Sequence, residues 1–457
     1  MMKRTRVAAI AIAASLLSAP ILRAETLAAT LTSAYNNSGL LEQNRALLRA
    51  ADEDVAQAVA ATLPVIDWSV QAARTASNAQ PSGEFTADNS ATLRINAAIT
   101  LYDFGANDLG IEAQKEVVLS TRQTLRGIEQ DVLLNAVQAY VNVLRDREFV
   151  DLRRNNVRLI TQEFRAAQDR FDVGEVTRTD VALAEARLAS ARSLLAAAEG
   201  TLAISIEGYR VAVGRAPGTV SAVSPAPVSR NLAEARAFAV RNNPSILEVQ
   251  HSVAAAELSI RRAQTALYPR TQLNSFISTD QDSNEIGQIG VQITGPIYSG
   301  GALSSQVRQL QANRNSARAG LHLTVLGVEQ QVATAFAQLQ VARASRQASD
   351  QQISASRVAF EGVREEATLG SRTTLDVLNA EQELLDAEAN RISAQADEVF
   401  ASYSLLSAMG LLTADHLNLP VQQYDPAAYY NAVKGAPPLL SEQGQALDRI
   451  LEAIGRE

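Results

Sequence analysis

The sequence VGEVTRTDVALAE at residues 173–185 recurs as LGSRTTLDVLNAE at residues 369–381, an offset of 196 residues. In both copies an apolar residue and a Gly come first, and Asp-Val and Ala-Glu pairs follow. The same offset places Tyr102 on Tyr298, far upstream of the first copy. One offset that holds over so long a stretch indicates an internal duplication. The chain is therefore expected to consist of two repeats with the same order of helices and strands.

The duplication predicts how the chain is divided. A Pro-, Ser- and Ala-rich stretch after the first copy has the composition of a linker. The region after the second copy contains several prolines, which favours an irregular tail with one short helix at 441–454. The predicted parts are a signal peptide at 1–24, a first repeat at 25–214, a linker at 215–230, a second repeat at 231–412 and a C-terminal tail at 413–457.

The N-terminus has the layout of a secretory signal peptide. Three basic residues, Lys3, Arg4 and Arg6, precede an apolar run at 7–17, and small residues follow up to Ala24. The run is shorter than the roughly 20 residues that a membrane-spanning helix needs. An ordinary buried helix is the alternative interpretation. The pattern favours export, with cleavage after Ala24.

Charge and cysteine content exclude some classes of partner and site. Removal of residues 1–24 takes away four of the 41 Lys and Arg and none of the 49 Asp and Glu, which leaves a net charge of −12. Nucleic-acid binding depends on clustered Lys and Arg, so no nucleic-acid partner is expected. The chain contains no Cys, and therefore no disulfide or thiolate site. No apolar run of 18 residues follows the signal peptide, so any membrane span must consist of strands.

Each repeat contains two segments in which apolar and polar residues alternate. Period two gives a strand one apolar face and one polar face. Strands of about ten residues suit a tilted span of an outer-membrane barrel, and soluble hairpins packed on helices are the alternative. The polar stretches 76–90 and 280–287 are predicted to be external loops. The strands are predicted at 66–73, 92–101, 270–279 and 288–297.

Helices are predicted on both sides of the strands. Residues 38–63 and 244–267 are rich in Ala and Leu, and each segment is followed by a Pro that ends a helix. The segment 105–172 lacks Pro and repeats apolar residues at spacings of three and four, as in a coiled coil. A helix of that length extends about 100 Å at about 1.5 Å per residue.

The long helices are predicted to fold back as hairpins. Gly can adopt the left-handed conformation that ends a helix, so the first helix is expected to turn at Gly174 and return as a second helix at 177–213. The second repeat follows the same plan over 302–409, with its turn at Gly370. The fold class is therefore mainly α, with a transmembrane β part.

Four strands are too few for a closed membrane barrel, which needs about eight. Open strand edges are not tolerated in lipid, so the chain is expected to assemble with copies of itself. Three copies give twelve strands, although the strand count alone does not choose three over two or four. The same assembly would arrange the helical hairpins into a hollow tube.

Several motifs resemble the outer-membrane efflux protein family, the TolC type of channel, over residues 25–412. They are NN at 36–37 and 242–243, YDFG at 102–105, YSGG at 298–301 and the two turn sequences quoted above. The resemblance implies a homotrimer in the outer membrane, with a 12-stranded β-barrel joined to a long α-helical coiled-coil barrel in the periplasm. It also implies an exit duct for efflux, type I protein secretion or both, without a cofactor. The implied partners are outer-membrane lipid, a periplasmic adaptor (membrane fusion protein) and an inner-membrane transporter of the ABC or another efflux class.

The resemblance also implies residues that close the periplasmic mouth. Asp376 matches a ring of aspartates that narrows the channel, and Asn379 stands where the family has a second aspartate ring. Arg372 matches a cation that links the second hairpin to Thr179 and Asp180 of the first. A ring of carboxylates favours the passage of cations, and mutual repulsion raises the pKa of its members.

Two departures weaken the match at the mouth. Ala367 replaces a Tyr that joins the closing links in the family, so one link is absent or replaced. Asp376 also has a simpler interpretation from its position alone, because an aspartate at the start of a helix is stabilised by the helix dipole.

The turns themselves are implied to contact the periplasmic adaptor. Glu175 departs from the apolar residue typical of the family, which predicts an adaptor surface with a different charge. Two tight turns without a partner are the alternative. The expected contact residues are Val173, Gly174, Glu175, Leu369, Gly370 and Ser371.

Nothing in the sequence points to catalysis or to a metal site. His251, His322 and His416 fall in different predicted elements, and no motif of a nucleotide-binding loop, a zinc hydrolase or a serine hydrolase is present. The rival functions are a periplasmic adaptor and a coiled-coil scaffold of a transport complex. Two hairpins without a membrane anchor disfavour the adaptor, and the strands inserted at equal positions in both repeats disfavour the scaffold.

Overall fold

A computed structural model describes residues 25–77, 86–229, 231–438 and 441–454. The predicted signal peptide lies outside the described residues. The helices are α1 Leu27–Asn37, α2 Gly39–Ala60, α3 Ala106–Asp172, α4 Arg178–Val213, α5 Leu232–Asn242, α6 Pro244–Thr265, α7 Ala302–Thr368, α8 Thr374–Ala408, α9 Ala428–Val433 and α10 Glu442–Ile454. The strands are β1 Val65–Ser77, β2 Thr86–Tyr102, β3 Arg270–Asp280 and β4 Glu285–Thr294.

The two long helices confirm the duplication. The helices α3 and α7 are each 67 residues long and begin and end at equivalent positions of the two repeats. Each is followed by a shorter helix, α4 or α8, that completes a hairpin. None of the helices in the described part of the chain combines the length and the apolar composition needed to cross a membrane.

Glycine ends both long helices in the same way. Gly174 and Gly370 have φ angles of 84° and 78°, in the left-handed region that other residues rarely adopt. The N–H groups of the next residues, Glu175 and Ser371, donate to the carbonyls of Arg170 and Glu366 at 2.8 and 3.0 Å. These bonds satisfy carbonyls that the end of a helix leaves free.

Each repeat begins with two helices, where the sequence analysis predicted one. Ser38 has extended backbone angles between α1 and α2, and Pro244 begins α6 with Asn243 as its cap. A Pro at the first helical position cannot continue the preceding helix. The Asn-Asn motifs therefore mark a break between two helices, and the segments before them were missed because each contains only 11 residues.

The strand ends differ from those that the alternation of side chains predicted, and β4 ends at Thr294, three residues before the predicted end at 297. Residues 86–90 and 285–287 belong to strands, so the loops assigned to 76–90 and 280–287 were too long. The pairing continues through polar side chains, with Arg74 opposite Asn89, because the backbone bonds of a ladder do not need apolar neighbours. The middle of the first loop, 78–85, lies outside the described residues.

The four strands form one antiparallel sheet in the order β1-β2-β3-β4. Trp68, Ile95 and Ile277 lie opposite one another on one face, and Asp67 and Asn96 lie opposite one another on the other face. The apolar face is exposed, with Trp68 72 % accessible. An exposed apolar surface of this extent indicates contact with lipid or with another protein.

The described chain folds into two compact units, and each unit contains parts of both repeats. The first unit consists of residues 25–41, 129–239 and 330–423. The second unit consists of residues 42–128, 240–329 and 424–454, and it includes the whole sheet. The tail belongs partly to each unit, and its helix α9 was not predicted because it is only six residues long.

Glu25 is buried in the first unit and joins four of its segments. The Tyr209 hydroxyl of α4 donates to its carboxylate at 2.5 Å, and Arg215 pairs with it at 2.6 Å. The N–H of Gly218 donates to its second oxygen at 2.6 Å. The Tyr140 hydroxyl of α3 donates to its carbonyl at 2.9 Å. The linker is therefore held in place by buried polar groups.

The end of α4 provides a test of this packing. Gly214 has a φ angle of 84°, and a Cβ atom there would lie 2.7 Å from the Cβ atom of Asn37. The left-handed conformation costs a residue other than Gly about 1–2 kcal/mol, and forced overpacking costs about 1–3 kcal/mol more. We expect Gly214→Ala to lower the free energy of unfolding by about 2–4 kcal/mol, measured from the shift in the thermal unfolding of the purified protein.

Gly208→Ala is the matched control. Gly208 lies within α4 and has open space around its α-carbon, so Ala should be neutral or stabilise the helix by up to about 1 kcal/mol. Equal thermal stability of the two variants would contradict the assigned role of Gly214.

Candidate gate at the helical turns

The second helix of each hairpin begins with the same capping arrangement. Thr177 and Thr373 are the N-cap residues, and each Thr hydroxyl accepts a hydrogen bond from the N–H of the Asp three residues later. The Asp carboxylates accept in return from the N–H groups of the Thr residues, at 2.9 Å for Asp180 and 3.0 Å for Asp376. This reciprocal capping box satisfies backbone donors that the start of a helix leaves free.

The capping box also determines the charge of Asp376. The pKa of its carboxyl lies below the ordinary value, because the N–H of Thr373 and then the Thr373 hydroxyl donate to it. Asp376 is therefore ionised at neutral pH within a single chain. In a ring, repulsion from the Asp376 carboxylates of neighbouring copies would raise this pKa again. Capping and a role in the mouth are compatible, since the cap uses one oxygen of the carboxylate.

Arg372 pairs with a residue of its own turn. Its Nε lies 2.8 Å from the Oε2 of Glu366, and this bond raises the pKa of the guanidinium above its ordinary value. Within the described residues of one chain, no ion pair or hydrogen bond joins Arg372 to Asp180 or Thr179. The link between these residues remains a prediction, and Ala367, five residues before Arg372, has no side chain that could form a hydrogen bond.

Asn379 has a partner that sequence reasoning missed. The Arg187 Nη2 of α4 donates to the Oδ1 of Asn379 on α8 at 3.3 Å, which joins the first hairpin to the second. No local motif marks Arg187. The pair could have been found only by placing α4 beside α8, because the two residues are 192 positions apart.

The turns expose apolar side chains. Val173 is 72 % and Leu369 is 80 % accessible, and the other four residues expected to contact an adaptor are also exposed. Large apolar side chains exposed at both turns favour contact with another protein. The described residues contain no group of three or more His, Asp or Glu side chains placed to hold a metal ion.

The duplicated halves match a known protein family. The model of the family described as outer membrane efflux protein matches residues 30–215 and 238–411. These two stretches correspond to the duplicated halves of the sequence.

The chain belongs to the outer membrane efflux protein family. Outer membrane efflux protein BepC of Brucella suis biovar 1 is 35 % identical over 438 residues, which cover 93 % of this chain and 94 % of BepC. Alkaline protease secretion protein AprF of Pseudomonas aeruginosa is 24 % identical over 384 residues, 79 % of each chain. The CmeC outer-membrane channel of Campylobacter jejuni has the same fold, with a TM-score of 0.76 at 16 % identity over 90 % of each chain.

Family membership gives the coarse function of this outer membrane efflux protein. It is an outer-membrane channel of the efflux and secretion class. The adaptor and scaffold alternatives are set aside, because the matched family is that of the channels.

Proposed function

We propose that this outer membrane efflux protein is a homotrimeric exit duct whose periplasmic mouth is closed by its helical turns. The proposal rests on the two open edges of the β-sheet. Within the described residues, β1 pairs only with β2 and β4 pairs only with β3, so both edges are open. An open edge cannot face lipid, because each unpaired backbone group there costs several kcal/mol.

Copies of the chain would remove both edges. The β4 edge of one copy pairs with the β1 edge of the next, and the exposed apolar face turns to lipid. Three copies give a 12-stranded barrel, and the polar face with Asp67 and Asn96 then lines the lumen. The choice of three chains follows from the family resemblance. The open edges support closure of the barrel by further copies, whatever their number.

We propose that the duct serves both efflux and type I protein secretion. Two relatives support this proposal, since BepC is named for efflux and AprF for protease secretion. The proposed partners are a periplasmic adaptor that contacts the exposed turns and an inner-membrane transporter that supplies the substrate and the energy. The chain itself is a conduit, with no catalytic step and no cofactor.

The mouth would be narrowed by one acidic ring. Three Asp376 carboxylates, ionised by their caps, would attract cations and repel one another. Asn379 would add a polar ring without charge. Arg372 would oppose the repulsion by linking neighbouring hairpins through Asp180 and Thr179.

Single-channel recording of the purified protein in a planar bilayer, together with its mass in detergent, tests the duct. We expect cation-selective openings from a particle of three chains. A monomer without conductance would overturn the proposal.

The role of Asp376 can be separated from its capping role. We expect Asp376→Asn to reduce cation selectivity, measured as a reversal potential closer to zero in a salt gradient, because the amide removes the charge and retains an oxygen that can cap. Thr373→Ala is the matched control. It removes the cap, which costs about 0.5–2 kcal/mol, and leaves the charge in place. An unchanged reversal potential in Asp376→Asn counts against the ring.

The role of Arg372 can be separated from its pairing within the turn. We expect Arg372→Ser to increase the open probability of the resting channel about tenfold or more, which corresponds to a loss of at least about 1.4 kcal/mol of closing interaction over the whole assembly. Glu366→Gln breaks the observed pair and retains Arg372, so it should leave the channel closed. If both variants open the channel equally, Arg372 acts only within its own turn and the proposed link is wrong.

A further inference from the structure

A buried carboxyl joins the two hairpins above the turns. Glu381 of α8 is only 3 % accessible, although it is charged in its ordinary state. The Nδ2 of Asn156 on α3 donates to its Oε1 at 2.9 Å. Its Oε2 is buried and has no hydrogen-bond partner within the described residues. A buried carboxylate oxygen without a partner is costly, so its retention calls for a physical reason.

The surroundings of this bond are apolar and shared by both hairpins. Leu378, one turn before Glu381 on α8, is buried against Ile160 of α3 and Leu188 of α4. Asn156 lies one turn before Ile160 on α3. The hydrogen bond therefore lies beside the apolar contact that packs the second hairpin on the first.

Charged groups approach Glu381 from three other helices. Glu163 lies on α3, Arg187 on α4 and Arg364 on α7. Arg364 is 3.8 Å from Glu163, and Arg187 donates to Asn379. The pKa of Glu381 is raised to about 7, first by burial and then by the charge of Glu163, while the Asn156 bond and the two arginines act in the opposite direction.

We propose that Glu381 is a positioning residue of the gate, whose bond to Asn156 sets where α8 holds Asp376 and Asn379 in the closed mouth. The proposal rests on the proposed duct function. Asp376 and Asn379 precede Glu381 by five and two residues on one continuous helix. At about 1.5 Å per residue, a shift of α8 at Glu381 is transmitted directly to both positions.

Protonation decides how firmly this position is held. Burial of the neutral carboxyl costs less than burial of the ionised carboxyl, which leaves one charged oxygen without a partner in the described residues. When the hairpins separate, Glu381 becomes exposed and regains its ordinary pKa of 4.5. Since the packed state has the higher pKa, its extra stability is fully present below pH 4.5 and is lost as pH rises through about 7. The closed mouth is therefore held most firmly in acid.

The duplication supplies a matched control. Glu185 is the residue that the offset of 196 pairs with Glu381, and it occupies the same place on α4 of the first hairpin. Its side chain is exposed. Glu185→Gln and Glu381→Gln make the same chemical change in equivalent helices, and only the burial of the carboxyl differs.

The test is the open probability of the purified full-length protein in planar bilayers, from about pH 5 to about pH 8. We expect the wild type to open at least about tenfold more often at the higher pH, the factor that corresponds to one pKa unit. Glu381→Gln keeps the Asn156 acceptor and carries no charge, so it should remain at the acid value at every pH. Glu185→Gln should follow the wild type. The proposal is overturned if Glu381→Gln keeps the pH response of the wild type, or if Glu185→Gln also loses that response.

A second variant gives a signature that a purely structural role would not produce. Asn156→Ala removes the donor that favours the ionised carboxyl, so the midpoint of the pH response should move upward. A midpoint that stays in place or moves downward contradicts the proposal.

Hydrogen exchange separates this inference from the proposed duct. The amides of residues 377–382 should lose protection as pH rises in the wild type, beyond the ordinary pH dependence of exchange recorded in Glu185→Gln, and should not do so in Glu381→Gln. If no channel is seen but this difference is present, the duct fails and the role of Glu381 in positioning α8 stands. If channels form and the difference is absent, the positioning role fails and the duct stands.

Discussion

The open edges of the sheet are the constraint on which the rest of the structure depends. Within the described part of the chain, both edge strands of the sheet are unpaired, and open strand edges are not tolerated in lipid. The side chains of Trp68, Ile95 and Ile277 are exposed on one face of the sheet, which favours contact with lipid or with another protein. In the proposed duct, copies of the chain would cover these edges, and any symmetry among the copies would apply to the long helices that follow β2 and β4. The proposed ring of residues at the turns would be a consequence of that symmetry.

Duplication has produced the same local chemistry in two different settings. Thr177 with Asp180 and Thr373 with Asp376 form equal capping boxes, so the start of both helices is a property of the local sequence. Glu185 and Glu381 share a place in the repeat, but one is exposed and the other is buried between hairpins. Capping explains why an Asp is suitable at the helix start. It does not distinguish a residue that also lines a channel, because both roles use the same carboxylate.

The sequence predicted the features that depend on neighbouring residues. The lengths of α3 and α7, the turns at Gly174 and Gly370 and the alternation in β1 all arise from periodicity or from a single residue type. The ends of the strands were missed because pairing continues where side chains are polar. The short helices α1 and α5 were missed because 11 residues give a weak periodic signal.

The residues of the candidate site also fall into those that local sequence indicates and those that depend on distant segments. Asp376 and the turn residues were proposed from local motifs and from the family resemblance, and their roles remain predictions. Arg187 and the burial of Glu381 were not, because both depend on packing between segments about 200 residues apart, and no local pattern encodes such contacts. Within the single chain, Arg372 pairs with Glu366, which is only six residues away. The sequence did not indicate this pair, because the turn between the two residues brings their side chains together.

The two compact units have a consequence for how the chain folds. Each unit contains residues from both repeats. The carboxylate of Glu25 binds Arg215 and Gly218, which lie about 190 residues later in the chain. Neither repeat can therefore complete its own core as it emerges, although each has the sequence of a self-contained hairpin. Contacts across such long separations in sequence are entropically costly to form and slow the search for the native state. The first repeat therefore stays open to aggregation and proteolysis until the second repeat has been synthesised.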